Sequence, residues 1–115
     1  MHELSLADGV LRMVEASARR EHFTRVARLR LEAGVLAGVE AHALRFALDA
    51  IRPGTCLEGA QIEIDEPPGR AWCAPCSAEV GIDSRFDPCP RCGGYPLRVL
   101  GGTGLRVLDL LVLEH

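Results

Sequence analysis

Cys73-Ala74-Pro75-Cys76 and Cys89-Pro90-Arg91-Cys92 form two CxxC pairs with twelve residues between them, the sharpest chemical signal in this 115-residue chain. Two residues between thiols let one tight turn aim both at a single point, and two such turns close a tetrahedron around a zinc ion. Gly93-Gly94, directly after the second pair, supplies the permissive backbone such a turn uses. Four protein ligands leave no open position for water or substrate, so the spacing predicts a structural zinc on Cys73, Cys76, Cys89 and Cys92. Cysteines that merely packed in a core would not need this pairing. A sulfur tetrahedron also suits the iron of a rubredoxin-type centre, which would colour the protein. Cys56 stands outside both pairs and reads as an inert, partly buried thiol.

The second candidate is the start of the chain, Met1-His2-Glu3. A free terminal amine, the amide nitrogen of residue 2 and Nδ1 of a histidine there can fill three corners of a square through fused five- and six-membered chelate rings. Nitrogen-rich square-planar surroundings favour Ni(II) or Cu(II), whereas zinc prefers a tetrahedron. The fourth corner is open to Glu3, through its backbone nitrogen or its carboxylate, to a donor elsewhere, or to solvent. Affinity for such an ion climbs with pH, because amine and amide must lose protons. His22 and His42 have no partner at metal spacing and read as surface or helix residues. His115 follows Leu113-Glu114, a pair common at vector junctions, and is given no role.

Composition bounds what else the chain can do. All 13 basic residues are Arg, so neither a lysine Schiff base nor a P-loop is available. The formal net charge is -3 and aromatics make up 4%, which points away from nucleic acid. With 48% hydrophobic and 25% charged residues the chain has globular composition. It shows no apolar run long enough to span a bilayer and no basic secretory leader, so a cytoplasmic protein with reduced thiols is expected. No nucleophile and base pair and no open metal position can be assembled, so catalysis is not expected.

These sites need elements to position them. Ser5 and Asp8 resemble a capping box and predict a helix from about Leu6, with Leu4, Ala7, Leu11, Val14 and Ala18 inward. Thr24 to Glu32 alternates, with Ala27, Leu29 and Leu31 on one face, as a half-buried strand does. Ala41, Leu44, Leu48 and Ile51 mark a second helix that Pro53-Gly54 must stop. Gln61 to Glu66 alternates again. Glu66-Pro67-Pro68-Gly69 then breaks the pattern, and Gly101-Gly102-Thr103-Gly104 closes the cysteine-bearing stretch, giving a main domain of 1–66 and 105–115 and a zinc domain of 67–104. Leu105 to Leu113 is apolar on both faces, like a sheet centre or a partner-covered strand.

Met1-His2-Glu3-Leu4-Ser5, the stretch Gly34-Val35-Leu36-Ala37-Gly38-Val39-Glu40 with Leu44-Arg45-Phe46 after it, and the two CxxC pairs followed by Gly93 resemble the HypA/HybF family over essentially the whole chain. The resemblance implies an α+β fold: two helices on a three-stranded mixed sheet with an inserted zinc-ribbon-like module. It implies a nickel chaperone for maturation of [NiFe] hydrogenase, and in some organisms urease, working with the GTPase HypB on a hydrogenase large-subunit precursor. On that reading nickel is anchored at His2 with Met1 and Glu3 contributing, and zinc is held by Cys73, Cys76, Cys89 and Cys92. Gly104 and Ala41-His42 depart from residues common in the family and put only local contacts in doubt. The rival reading is a zinc-ribbon or rubredoxin-like module for regulation or electron transfer, in which the amino terminus is incidental.

Overall fold

A computed structural model gives the fold, described here over residues 2–113. Its order is α1 (His2–Glu21), β1 (Val26–Ala33), α2 (Ala41–Ile51), β2 (Gln61–Asp65), β3 (Gly69–Cys73), β4 (Ala78–Ile82), β5 (Arg98–Gly101) and β6 (Leu105–Val112). The chain divides into two compact units: one takes in residues up to Leu31, Glu40–Ile64 and the chain from Arg106, the other Glu32–Val39 and Asp65–Leu105.

In the first unit α1 packs on α2 and buries Ala7, Val10, Leu11 and Val14. The helix begins at His2, not near Leu6, and Leu4 is 45% exposed instead of inward. The cause is long-range. Glu3 lies in the first turn, where a carboxylate complements the positive helix end, and its Oε2 accepts the Glu40 amide at 3.3 Å. At the other end Phe23 donates to the Ala18 carbonyl at 3.1 Å while His22 sits at φ 61°, a Schellman cap that places histidine in the left-handed position glycine usually takes. Glu40 caps α2 in turn, its Oε2 accepting the Ala43 amide at 2.6 Å, and the helix ends before Pro53-Gly54 as expected.

The sheet order is β2-β1-β6, a mixed sheet with two helices as the sequence implied. β6 runs antiparallel to β1: Leu113 donates to Arg25 at 3.0 Å at one end of the pair and Gly34 to Gly104 at 3.0 Å at the other. β1 is central and buries Val26, Leu29, Leu31 and Ala33, while Ala27 is only half-buried because alternation slips at Ala27-Arg28. β6 lies at the edge, not at the centre of the sheet, and none of its residues is fully buried.

The second unit holds a three-stranded antiparallel sheet, β4-β3-β5, that apolar periodicity did not announce. Gly69 pairs with Ile82 and Cys73 with Ala78 along β3 and β4, and β5 joins β3 with an irregularity at Arg70/Ala71. Its small core is Leu36, Ala71, Cys73, Val80, Ile82 and Cys89, so two of the thiols are themselves core residues. Leu36 arrives on the 3-10 turn Val35–Ala37, which is threaded between neighbours: Val35 donates to Pro67 at 2.9 Å and Leu36 to Gly102 at 2.7 Å.

Candidate metal centres

The four thiols are brought together by two turns. Cys73 ends β3, and the chain reverses through Ala74-Pro75 with Ser77 donating to the Ala74 carbonyl at 3.0 Å and taking φ 48°. The second turn is closed by Gly93 donating to Cys89 at 2.8 Å and Cys89 donating to Gly94 at 3.0 Å, with Gly93 at φ 74°, the conformation that explains a glycine there. The Arg91 amide points at Cys89 Sγ, 3.4 Å away.

Among the described residues, Cys73, Cys76, Cys89 and Cys92 form a cluster whose sulfurs all lie within 4.8 Å of one another. Sγ atoms of Cys73 and Cys92 are 3.6 Å apart, and those of Cys76 and Cys89 are 3.9 Å apart. A tetrahedral ion with Zn–S of about 2.3 Å sets its sulfurs about 3.8 Å apart, whereas a disulfide needs about 2.05 Å. The spacing fits a metal tetrahedron and excludes disulfides. Electrostatics agree: hydrogen bonding among the thiols, from Cys92 first and then Cys73, pushes Cys76 up to about 12. The Cys92 amide, helped by that of Arg91, draws Cys89 down to about 6. Cys73 is raised, since the pull of the Cys76 amide is outweighed by burial and by the Cys89 and Cys92 thiols. Four thiols in this space cannot all ionise alone, and a bound divalent cation supplies the charge that makes them thiolates together.

At the amino terminus, Met1 lies outside the described residues, as do Glu114 and His115. His2 is exposed at the first turn of α1, with Nδ1 3.6 Å from Glu3 Oε2. The hydrogen bond from Glu40 is the main reason the Glu3 carboxyl is held below its ordinary pKa. Glu40 is the residue sequence reasoning missed. The only local hint was an acidic residue three before Ala43 at the start of a helical pattern. His22 caps α1, and Cys56 is half-buried with its carbonyl accepting the Val26 amide at 2.9 Å.

The model of a family described as "Hydrogenase/urease nickel incorporation, metallochaperone, hypA" matches residues 1–112. The chain belongs to the HypA family. A hydrogenase maturation factor HypA from Cupriavidus necator is 62% identical over 100% of this chain and 97% of its own. One from Polaromonas naphthalenivorans is 57% identical over 100% of both chains. The solution structure of the Ni metallochaperone HypA from Helicobacter pylori superposes with a TM-score of 0.68 at 17% identity over 98% of each chain. A second HypA solution structure gives 0.70 at 19% identity over 98% of this chain and 97% of that one. Those two likenesses establish the fold, and the closer sequence matches establish the family. Nickel is therefore the family's cargo, and the four-cysteine cluster is suited to structural zinc. No helix among the described residues is long and apolar enough to cross a membrane.

Proposed function

We propose that this chain carries Ni(II) on Met1, His2 and Glu3 and delivers it in the cytoplasm to a [NiFe] hydrogenase large-subunit precursor, with a HypB-type GTPase as working partner and urease as a second destination. Zinc on Cys73, Cys76, Cys89 and Cys92 keeps the second unit folded. No bond of a substrate is made or broken, so the protein acts as a carrier and not as an enzyme.

The observation that carries this reading is the first turn of α1. Amides there have no partner inside the helix, so the His2 nitrogen can be surrendered to a metal without breaking a helical hydrogen bond. A bare cation is disfavoured at the positive end of a helix. Deprotonating one amide and adding the Glu3 carboxylate cancels the two positive charges of the ion, which ties uptake to pH and keeps the ion exchangeable. The separation of 3.6 Å between His2 Nδ1 and Glu3 Oε2 also suits shared coordination: donors about 2.0 Å from one metal stand about 2.8 Å apart on adjacent corners and about 4 Å apart on opposite ones. Glu3 can reach a free corner with a shift of about 1 Å, and it arrives already ionised.

A nickel titration of the native protein beside His2→Ala and a form with one Gly added before Met1 tests this. Both changes break the fused chelate, so both should weaken nickel binding at least tenfold while leaving zinc content unchanged. Equal nickel affinity in all three would remove the amino-terminal site. A coloured protein containing iron would instead favour the rubredoxin-like alternative.

A further inference from the structure

The four sulfurs of the cluster are not equally reachable. Cys73 and Cys89 are 1% and 2% exposed and belong to the small core of the second unit, and Cys76 is half-buried. Cys92 alone of the four stands exposed. Part of the cause is Gly94: a Cβ there would lie 3.2 Å from Cys92 Sγ, so the glycine leaves that flank of the sulfur bare. Backbone conformation does not demand a glycine at this position, as it does at Gly93 with φ 74°. Beside the exposed sulfur stands a shielded one. Cys73 Sγ is 3.6 Å from Cys92 Sγ, nearer than the 3.9 Å between Cys76 and Cys89, although the two cysteines come from different turns. An accessible thiolate with a second thiolate in reach behind it is the arrangement of redox-sensing cysteines.

We propose that the cluster is a reversible, peroxide-sensitive clasp in which Cys92 is oxidised first and Cys73 resolves it, releasing the zinc. This rests on the reading that the four cysteines hold that ion. The co-reactant is a hydroperoxide, in the simplest case hydrogen peroxide. The Cys92 thiolate attacks one peroxide oxygen, the O–O bond breaks, and the departing hydroxide takes a proton and leaves as water. Cys92 is then a sulfenic acid. The Cys73 thiolate attacks that sulfur, the S–O bond breaks, and a second hydroxide takes a proton and leaves as water. Two thiolates, one peroxide and two protons thus become one disulfide and two waters, the sulfurs giving up the two electrons that the peroxide accepts. To form the bond the two sulfurs close from 3.6 Å to about 2.05 Å. Cys76 and Cys89 are left as the remaining ligands, and two thiolates do not complete a tetrahedron, so the ion is lost and with it the folding energy it supplied. The new bond ties the end of β3 to the second turn, 19 residues on, which keeps the cysteines together for reduction and reloading.

The test treats the zinc-loaded full chain, in a Cys56→Ser background that removes the fifth thiol, with equimolar hydrogen peroxide. Zinc content is measured first, so that a chain without the ion counts against the four-cysteine assignment and an ion that stays through oxidation counts against the clasp alone. Released zinc is followed with a colorimetric chelator and disulfides by mass spectrometry. Trypsin cuts after Arg85 and Arg91, which parts Cys92 from Cys89 and both from the first pair, and fragmentation separates Cys73 from Cys76. The Cys73–Cys92 bond should appear first and in step with zinc release, and a thiol reductant with added zinc should restore Trp72 emission. Gly94→Ala should load zinc as the parent does and lose it at least threefold more slowly under peroxide, because its methyl covers Cys92; the disulfide map of the parent decides independently of that variant. Zinc retained while peroxide is consumed, a first disulfide other than Cys73–Cys92, oxidation of Cys92 beyond the sulfenic acid with no disulfide, or equally fast release from a zinc-loaded Gly94→Ala would each overturn the proposal.

Discussion

Two glycines predict opposite answers to the same substitution. Gly34 has φ -59° and ψ 148°, a conformation alanine adopts freely, so loss of unfolded-chain entropy alone would make Gly34→Ala stabilising by about 0.4–1 kcal/mol. Sterics say otherwise. A Cβ at Gly34 would collide with the Gly102 carbonyl, and Gly102 cannot retreat: it holds φ +81° and its own Cβ position lies 2.6 Å from the Pro68 oxygen and 2.8 Å from Gly69 Cα. The displaced carbonyl is the one that accepts Leu36 N–H at 2.7 Å, and the adjacent bond from Gly34 to Gly104 would stretch with it. Overpacking costs about 1–3 kcal/mol and two weakened backbone bonds about 1 kcal/mol each, so the net loss is about 2–4 kcal/mol after the entropy gain. That corresponds to a fall in Tm of order 10 °C, read by fluorescence of Trp72, which lies on β3 in the same unit. Gly9 is the control. It lies inside α1 with nothing within 4 Å of an added Cβ, so Gly9→Ala should stabilise by about 1 kcal/mol. If Gly34→Ala melted at or above the parent temperature, the close crossing of the Gly34, Gly69 and Gly102 backbones would be refuted.

Three further outcomes follow from the same structure. Stripping the metal with a chelator should unfold the β3–β5 unit and shift Trp72 emission while most helical signal persists, because zinc binding of this type contributes about 10–16 kcal/mol of apparent folding energy; an unchanged Trp72 signal would show that the metal is dispensable. Acidification should do the same, since protons compete for thiolates. Glu40→Ala removes the cap on Ala43 and should cost about 1 kcal/mol in thermal melts, and Glu40→Asn, which keeps a capping oxygen, should recover most of it. Burial, with a smaller push from the Glu15 carboxylate, raises the Cys56 pKa above the ordinary thiol value. At a given pH below that raised pKa it carries less thiolate than an exposed cysteine, so iodoacetamide should label it more slowly in the zinc-loaded protein, and Glu15→Gln should speed the reaction slightly; labelling as fast as a free thiol would contradict that environment.

What could be read from the sequence was what is local. CxxC spacing is a chelate condition met within one turn, so the clustering of Cys73, Cys76, Cys89 and Cys92 could be expected before any fold was known, and α2 could be placed from Leu44 and Leu48 with Pro53-Gly54 as its stop. Legibility failed wherever the deciding partner is distant in sequence. The start of α1 moved from Leu6 to His2 because Glu3 is held by an amide 37 residues away, which no capping rule applied to the first eight residues could detect. β3 turns Gly69, Ala71 and Cys73 inward, small residues and a thiol that write no apolar alternation, and the core of its sheet is completed by thiols and by Leu36 from another part of the chain. β6 is the reverse case: its apolar pattern was plain, but a pattern reports that both faces prefer cover without saying what covers them. The centre of a sheet and an edge strand with apolar faces write the same residues, and only the strand order β2-β1-β6 places β6 at the edge.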